Sequence, residues 1–178
     1  DAVCPGGTTQ LTVGASGQGL SYRWQKDGAD ISDGGHYGGT GGTTLTISDM
    51  DATVVGGYRC RVSNSTGTVY STQAGVTMRA ATTVTQQPNS QSLCAGETAT
   101  YAVVGSGDGA VTYQWQKDGV NLSNGDHFSG VTSSTLTVSN VDDSVIGAYR
   151  CVCTARCGNV ASNEATLTIK TATMVTRQ

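Results

Sequence analysis

The second half of the chain repeats the first. Tyr22, Trp24, Gln25, Lys26, Asp27 and Gly28 return 91 residues later as Tyr113, Trp115, Gln116, Lys117, Asp118 and Gly119. The same offset carries Thr44-Leu45-Thr46-Ile47-Ser48 onto Thr135-Leu136-Thr137-Val138-Ser139, and Gly56-Gly57-Tyr58-Arg59-Cys60 onto Gly147-Ala148-Tyr149-Arg150-Cys151. Cys4 matches Cys94 at 90, so one residue is inserted between this cysteine and the tryptophan. Two copies of one domain are therefore present, and any architecture must be built twice.

Each copy reads as short stretches of alternating polarity separated by Gly, Asp, Asn and Ser turns, the pattern of an all-β sandwich. In the second copy the expected strands are 97–104, 112–117, 134–138, 147–154 and 159–169. Lys117-Asp118-Gly119 supplies a hairpin turn, because Asp-Gly accepts the positive φ that such turns need. Composition agrees: hydrophobic residues make up only 37% of the chain while glycine alone contributes 25 residues, so the apolar positions must serve as inward faces of thin sandwiches.

The motif Tyr-x-Trp-x-Lys-Asp-Gly, followed by Thr-Leu-Thr-Ile/Val and then Gly-x-Tyr-x-Cys, resembles strands C, E and F of the immunoglobulin superfamily. It is similar in particular to the immunoglobulin-like modules of bacterial secreted and cell-surface proteins. The resemblance implies that Trp24 and Trp115 are buried between sheets and that Tyr58 and Tyr149 form tyrosine corners with an upstream backbone partner. The chain departs from the family at strand B, where the usual cysteine is replaced by Val13 and Val103. The usual inter-sheet disulfide cannot form, and Cys4 and Cys94 instead precede strand B. The first copy holds only Cys4 and Cys60, which leaves one internal pairing. Repeat equivalence then pairs Cys94 with Cys151 and leaves Cys153 with Cys157; Cys94 with Cys157 is the competing connectivity. Six cysteines in such small cores point to an oxidising, extracellular compartment.

A net charge of -3 offers no basic stripe for nucleic acid or an anionic bilayer, and no apolar run approaches the length needed to cross a membrane. The two histidines, His36 and His127, occupy equivalent places in the two copies, which suits a structural role better than a unique catalytic base. Asp27, Asp30, Asp33, Asp108 and Asp126 lie among glycines but lack the dense carboxylate alternation of a calcium loop. Cys151, Cys153 and Cys157 read as disulfide partners rather than a soft-metal site. Asn64-Ser65-Thr66 and Asn121-Leu122-Ser123 fit the glycosylation triplet, a pattern frequent by chance in a chain this rich in Ser and Thr. No nucleophile elbow, catalytic carboxylate pair or His ligand pair is present, so no enzyme activity, cofactor or metal is expected.

The repeat also defines the ends. At an offset of 91 the tail Thr171, Ala172, Thr173, Met174, Val175, Thr176, Arg177 and Gln178 matches the strand A segment of the second copy, with Val175 on Val84 and Gln178 on Gln87. Asp1 aligns with Gln91, so the first copy starts after its own strand A. The expected layout is a first domain over 1–79 lacking strand A, a second over 80–170, and a tail over 171–178 that acts as a donor strand. Two functions follow. The first is a structural subunit of an extracellular filament, built head-to-tail from copies of the chain by donor-strand complementation. The alternative is a fragment of a multi-repeat adhesin or receptor at the cell surface that binds a protein or glycan.

Overall fold

The computed structural model describes residues 1–171 and divides the chain into two compact units, Asp1–Ala80 and Ala81–Gln178. The first contains β1 (Ala2–Val3), β2 (Thr9–Thr12), β3 (Ser21–Lys26), β4 (Ala29–Asp30), β5 (Tyr37–Gly38), β6 (Thr44–Ile47), β7 (Gly56–Asn64), β8 (Gly67–Tyr70) and β9 (Ala74–Met78). The second contains β10 (Thr83–Gln86), β11 (Gln91–Leu93), β12 (Ala99–Ala102), β13 (Val104–Ser106), β14 (Thr112–Lys117) and β15 (Val120–Asn121). Its remaining strands are β16 (Phe128–Ser129), β17 (Thr135–Val138), β18 (Gly147–Ala155), β19 (Gly158–Ala161) and β20 (Ala165–Ile169).

Each unit is a β-sandwich. In the first, one sheet runs β1-β9-β7-β3-β4 with β8 on the far half of β7, and faces a second sheet β2-β6-β5. The second unit repeats this as β11-β20-β18-β14-β15 with β19 on β18, facing β12-β17-β16. Alternation of side chains along each strand sends one set inward. Trp24, Leu45, Ile47, Tyr58, Cys60 and Val62 thus make the first core, and Tyr101, Trp115, Leu136, Val138, Tyr149 and Cys151 belong to the second. The two cores are separate clusters.

The local chemistry of the motifs fixes the turns. Asp27 and Asp118 both sit at φ 49°, followed by Gly28 and Gly119 at φ 89° and 82°, which is the double positive-φ geometry of a tight hairpin. The Asp118 carboxylate also accepts the Ala148 N–H at 2.9 Å, as Asp27 does that of Gly57 at 2.8 Å. This contact explains the motif glycine: at Gly147, φ is +150° and a Cβ would lie 2.7 Å from an Asp118 oxygen.

Strand G, expected as one run over 159–169, is broken into β19 and β20. At the break the Ser162 hydroxyl accepts the Cys151 N–H at 2.9 Å and donates to the Asn163 carbonyl. A side chain thus replaces a ladder bond, and Ser71 does the same for Cys60 in the first domain.

Candidate functional site

The histidines come first, because the fold places a carboxylate and a serine beside each. His36 Nδ1 lies 2.9 Å from the Ser48 carbonyl and its Nε2 lies 3.6 Å from Asp51; His127 repeats this with Ser139 at 2.9 Å and Asp142 at 3.8 Å. A carbonyl only accepts, so Nδ1 carries the hydrogen. The Ser48 and Ser139 hydroxyls turn away and donate to the histidine carbonyls, so no base touches a nucleophile. Asp51 and Asp142 accept from Thr53 and Ser144, hydroxyl and N–H alike, and these bonds hold both carboxyls below the usual range. Each set clips one sheet together, twice over.

The candidate calcium ligands are dispersed in the same way. Asp27 takes the Gly57 N–H, Asp30 bonds Gln25 and Arg61, Asp33 accepts from Thr40, and Asp108 faces Arg156. Asp126 is exposed in its loop. Among the described residues no group of three or more His, Cys, Asp or Glu stands close enough to hold a metal ion. Asn64 folds back on Thr66 in an Asx turn, and Asn121 accepts from Gln116.

The expected disulfides are corrected. Cys60, Cys94, Cys151 and Cys153 are free thiols, so the pairs Cys4–Cys60, Cys94–Cys151 and Cys153–Cys157 do not form, nor does Cys94–Cys157. The reason lies in sheet register. Leu93 pairs with Ile169 and Gly147 with Leu167, which puts Cys94 about seven residues, roughly 20 Å, below Cys151 along the sandwich. Val3 with Met78 and Gly56 with Val76 separate Cys4 from Cys60 by the same distance, three times the reach of a disulfide at about 7 Å between Cα atoms. Cys153 faces the core opposite Val160, whereas Cys157 lies in the turn beyond Ala155. Burial pushes the Cys151 thiol up to about 12 and raises Cys60 and Cys153, so these are inert core thiols.

The core residues singled out above lie inside. Trp24 and Trp115 are buried and donate Nε1–H to the Gly42 and Ser133 carbonyls at 3.0 and 2.9 Å. The Tyr58 and Tyr149 hydroxyls donate to the carbonyls of Val54 and Val145, four residues upstream. Thr171 is exposed, and the rest of the tail, 172–178, lies outside the described residues.

The two domains differ most where strand A belongs. In the second, β10 pairs antiparallel with β13, Val84 packs on the core, Pro88 is buried, and Gln87 accepts the Asn163 N–H at 2.8 Å. The described residues of the first domain contain no strand equivalent to β10, and residues 13–16, the match of β13, form no strand. An opening of about 330 Å³ remains beside them, lined by residues including Leu11, Val13, Trp24, Tyr58, Ser71 and Ala74.

Known protein families match on both sides of the unit boundary: an immunoglobulin I-set domain over residues 2–77 and an immunoglobulin domain over residues 83–155. The chain is a tandem pair of immunoglobulin-superfamily domains. Over 170 residues this immunoglobulin pair is 28% identical to leucine-rich repeats and immunoglobulin-like domains protein 3 of Mus musculus, covering 84% of the chain and 15% of that protein. It is also 28% identical over 157 residues to the mouse cell adhesion molecule DSCAML1, covering 86% and 8%. The chain thus spans less than a sixth of either relative. Both are animal proteins, so the narrower bacterial grouping is not supported and the resemblance holds at the level of the superfamily. Among solved structures, an I-band fragment from titin superposes with a TM-score of 0.69 at 21% identity, covering 95% of this chain and 62% of that one. Drosophila OTK extracellular domains 3–5 give 0.63 at 22%, covering 96% and 59%. These structures speak to the fold. The immunoglobulin pair is an extracellular or cell-surface one, and none of its described residues forms a helix long and apolar enough to cross a membrane.

Proposed function

We propose that the chain is a two-domain segment of a multi-immunoglobulin cell-surface adhesion or receptor protein, that it binds a protein partner, and that it does no chemistry of its own. The observation that carries this reading is the match of both domains, in tandem and over 86% of the chain, to a cell adhesion molecule. The structural wiring of both His–Asp pairs and the burial of the Cys60, Cys151 and Cys153 thiols agree with it, since these groups lie in the scaffold and face no substrate. Beads coated with the folded chain should adhere to partner-bearing cells, and protease treatment of those cells should abolish adherence. Adherence that survives protease and disappears with glycosidase would replace the protein partner by a glycan; a chain that adheres to no cell type would remove the reading.

The opening in the first domain favours a second reading, assembly by strand exchange between copies. The tail 171–178 carries the strand A pattern of Thr82–Gln87, with Val175 in the place of Val84. Each main-chain hydrogen bond it made would contribute about 0.5–1.5 kcal/mol, and burial of Val175 about 1.5–3 kcal/mol. On this reading the chain sediments as a concentration-dependent series of oligomers. Deleting 171–178 leaves monomers, and Val175→Asp weakens association by burying an unpaired charge. A chain that stays monomeric at high concentration, or a deletion that still assembles, removes it.

A further inference from the structure

The outward face of the β8–β7–β3–β4 sheet in the first domain carries two rows of side chains, and its counterpart in the second domain separates what is structural from what is not. In the lower row, Arg59 Nε donates to Gln25 Oε1 at 2.9 Å and Gln25 Nε2 to Asp30 Oδ1 at 2.6 Å. The second domain has the same chain of bonds, Arg150 to Gln116 at 2.8 Å and Gln116 to Asn121 at 2.8 Å. This row belongs to the shared scaffold. The upper row does not. Tyr70, Arg61 and Arg23 stand in register across β8, β7 and β3, where the second domain has Ala161, Val152 and Gln114.

Nothing in the fold calls for that row. Arg23 and Arg61 are directly opposite one another on neighbouring strands, an arrangement of like charges that destabilises a sheet. Arg61 is partly balanced by Asp30, 3.3 Å away, in a contact whose side chains are 38% and 43% exposed. Arg23 is exposed, has no hydrogen-bond partner among the described residues, and is felt only at longer range by Asp33. Arg59 stacks over Tyr70 with its guanidinium carbon 4.4 Å from the ring centroid, which holds the half-exposed ring in place at the edge of the row. Three of the five cationic side chains of residues 1–80 thus gather on one face of a chain whose net charge is -3.

We propose that this face, centred on Arg23, Arg61 and Tyr70 and buttressed by Arg59, is an interaction surface for an acidic protein. Charge complementarity sets the sign of the partner, and Arg and Tyr are the side chains that anchor protein interfaces. A sheet face presents its side chains on an open surface, which suits another protein surface; small saccharides are held in concave sites. The proposal rests on the adhesion reading above and names the face that such adhesion uses.

The test is an NMR titration of the full chain with a poly-glutamate peptide at low ionic strength, where surface charge is least screened. Amide shifts should concentrate at residues 21–25, 59–63 and 68–70. The variant Arg23→Gln/Arg61→Val, which installs the second domain's own residues, should weaken binding by at least about tenfold while leaving resistance to urea unchanged or higher. Shifts scattered over other surfaces, no binding, or a loss of stability in the variant would overturn the proposal. So would a sulfated oligosaccharide that binds the same face more tightly than the peptide. Cell adherence that persists in the variant would sink this face while leaving the adhesion reading intact.

Discussion

Val103→Cys is expected to close a disulfide with Cys151 under oxidising conditions and to stabilise the second domain by about 2–4 kcal/mol. The facing sheets define the pairing. Tyr101 stacks on Tyr149 with ring centroids 5.1 Å apart, and a Cβ built on Gly105 would lie 3.1 Å from Cys153 Sγ. Position 103 falls between these two contacts on the same inward face, opposite Cys151, and both residues are buried in one cluster. The substitution restores the strand B cysteine that the superfamily places there. Chain-entropy arguments give about 4 kcal/mol for a loop of this length, and any misfit at the new sulfur subtracts from it. Urea unfolding with and without reductant measures the gain, and non-reducing peptide mapping identifies the bond. A cysteine at 103 that stays reduced, or that couples to Cys153, would contradict the facing order of the strands.

The same residues mark the boundary between what the sequence reveals and what it conceals. Domain number and strand type were legible because both depend on local periodicity: the 91-residue repeat, the alternation around Trp115, and Asp-Gly at the turn all act within a few residues. Cysteine pairing was not, because it depends on the height of each cysteine along the sandwich. Cys94 and Cys151 match Cys4 and Cys60 in order, yet the parallel pairings of β1 with β9 and of β11 with β20 leave each pair far apart. The break at Ser162 was hidden for a related reason, since a serine that accepts a backbone N–H leaves the hydrophobic alternation around it intact. The upper row on the first domain could not be read from the chain either. Tyr70, Arg61 and Arg23 are distant in sequence, and only strand register brings them together.

Trp115→Ala is expected to cost the second domain about 3–5 kcal/mol, a large fraction of the roughly 5–15 kcal/mol that keeps a domain folded. The side chain is fully buried, leans on Tyr101 at 6.2 Å between ring centroids, and donates to the Ser133 carbonyl, which the substitution leaves without that partner. Trp24→Ala in the first domain should cost less, by about 1 kcal/mol, because truncation is most expensive where the side chain is packed on every side. Trp24 already borders the opening of about 330 Å³, whereas strand β10 packs Val84 against the core that holds Trp115. Hydrogen exchange resolved by residue measures both losses in the same chain, one domain serving as control for the other. An equal or larger loss for Trp24→Ala would mean that the opening does not weaken the packing around Trp24. The comparison also bears on strand exchange: a tail from a neighbouring copy that fills the opening should raise the cost of Trp24→Ala toward that of Trp115→Ala as protein concentration rises. A cost independent of concentration places each first domain alone, with its opening unfilled.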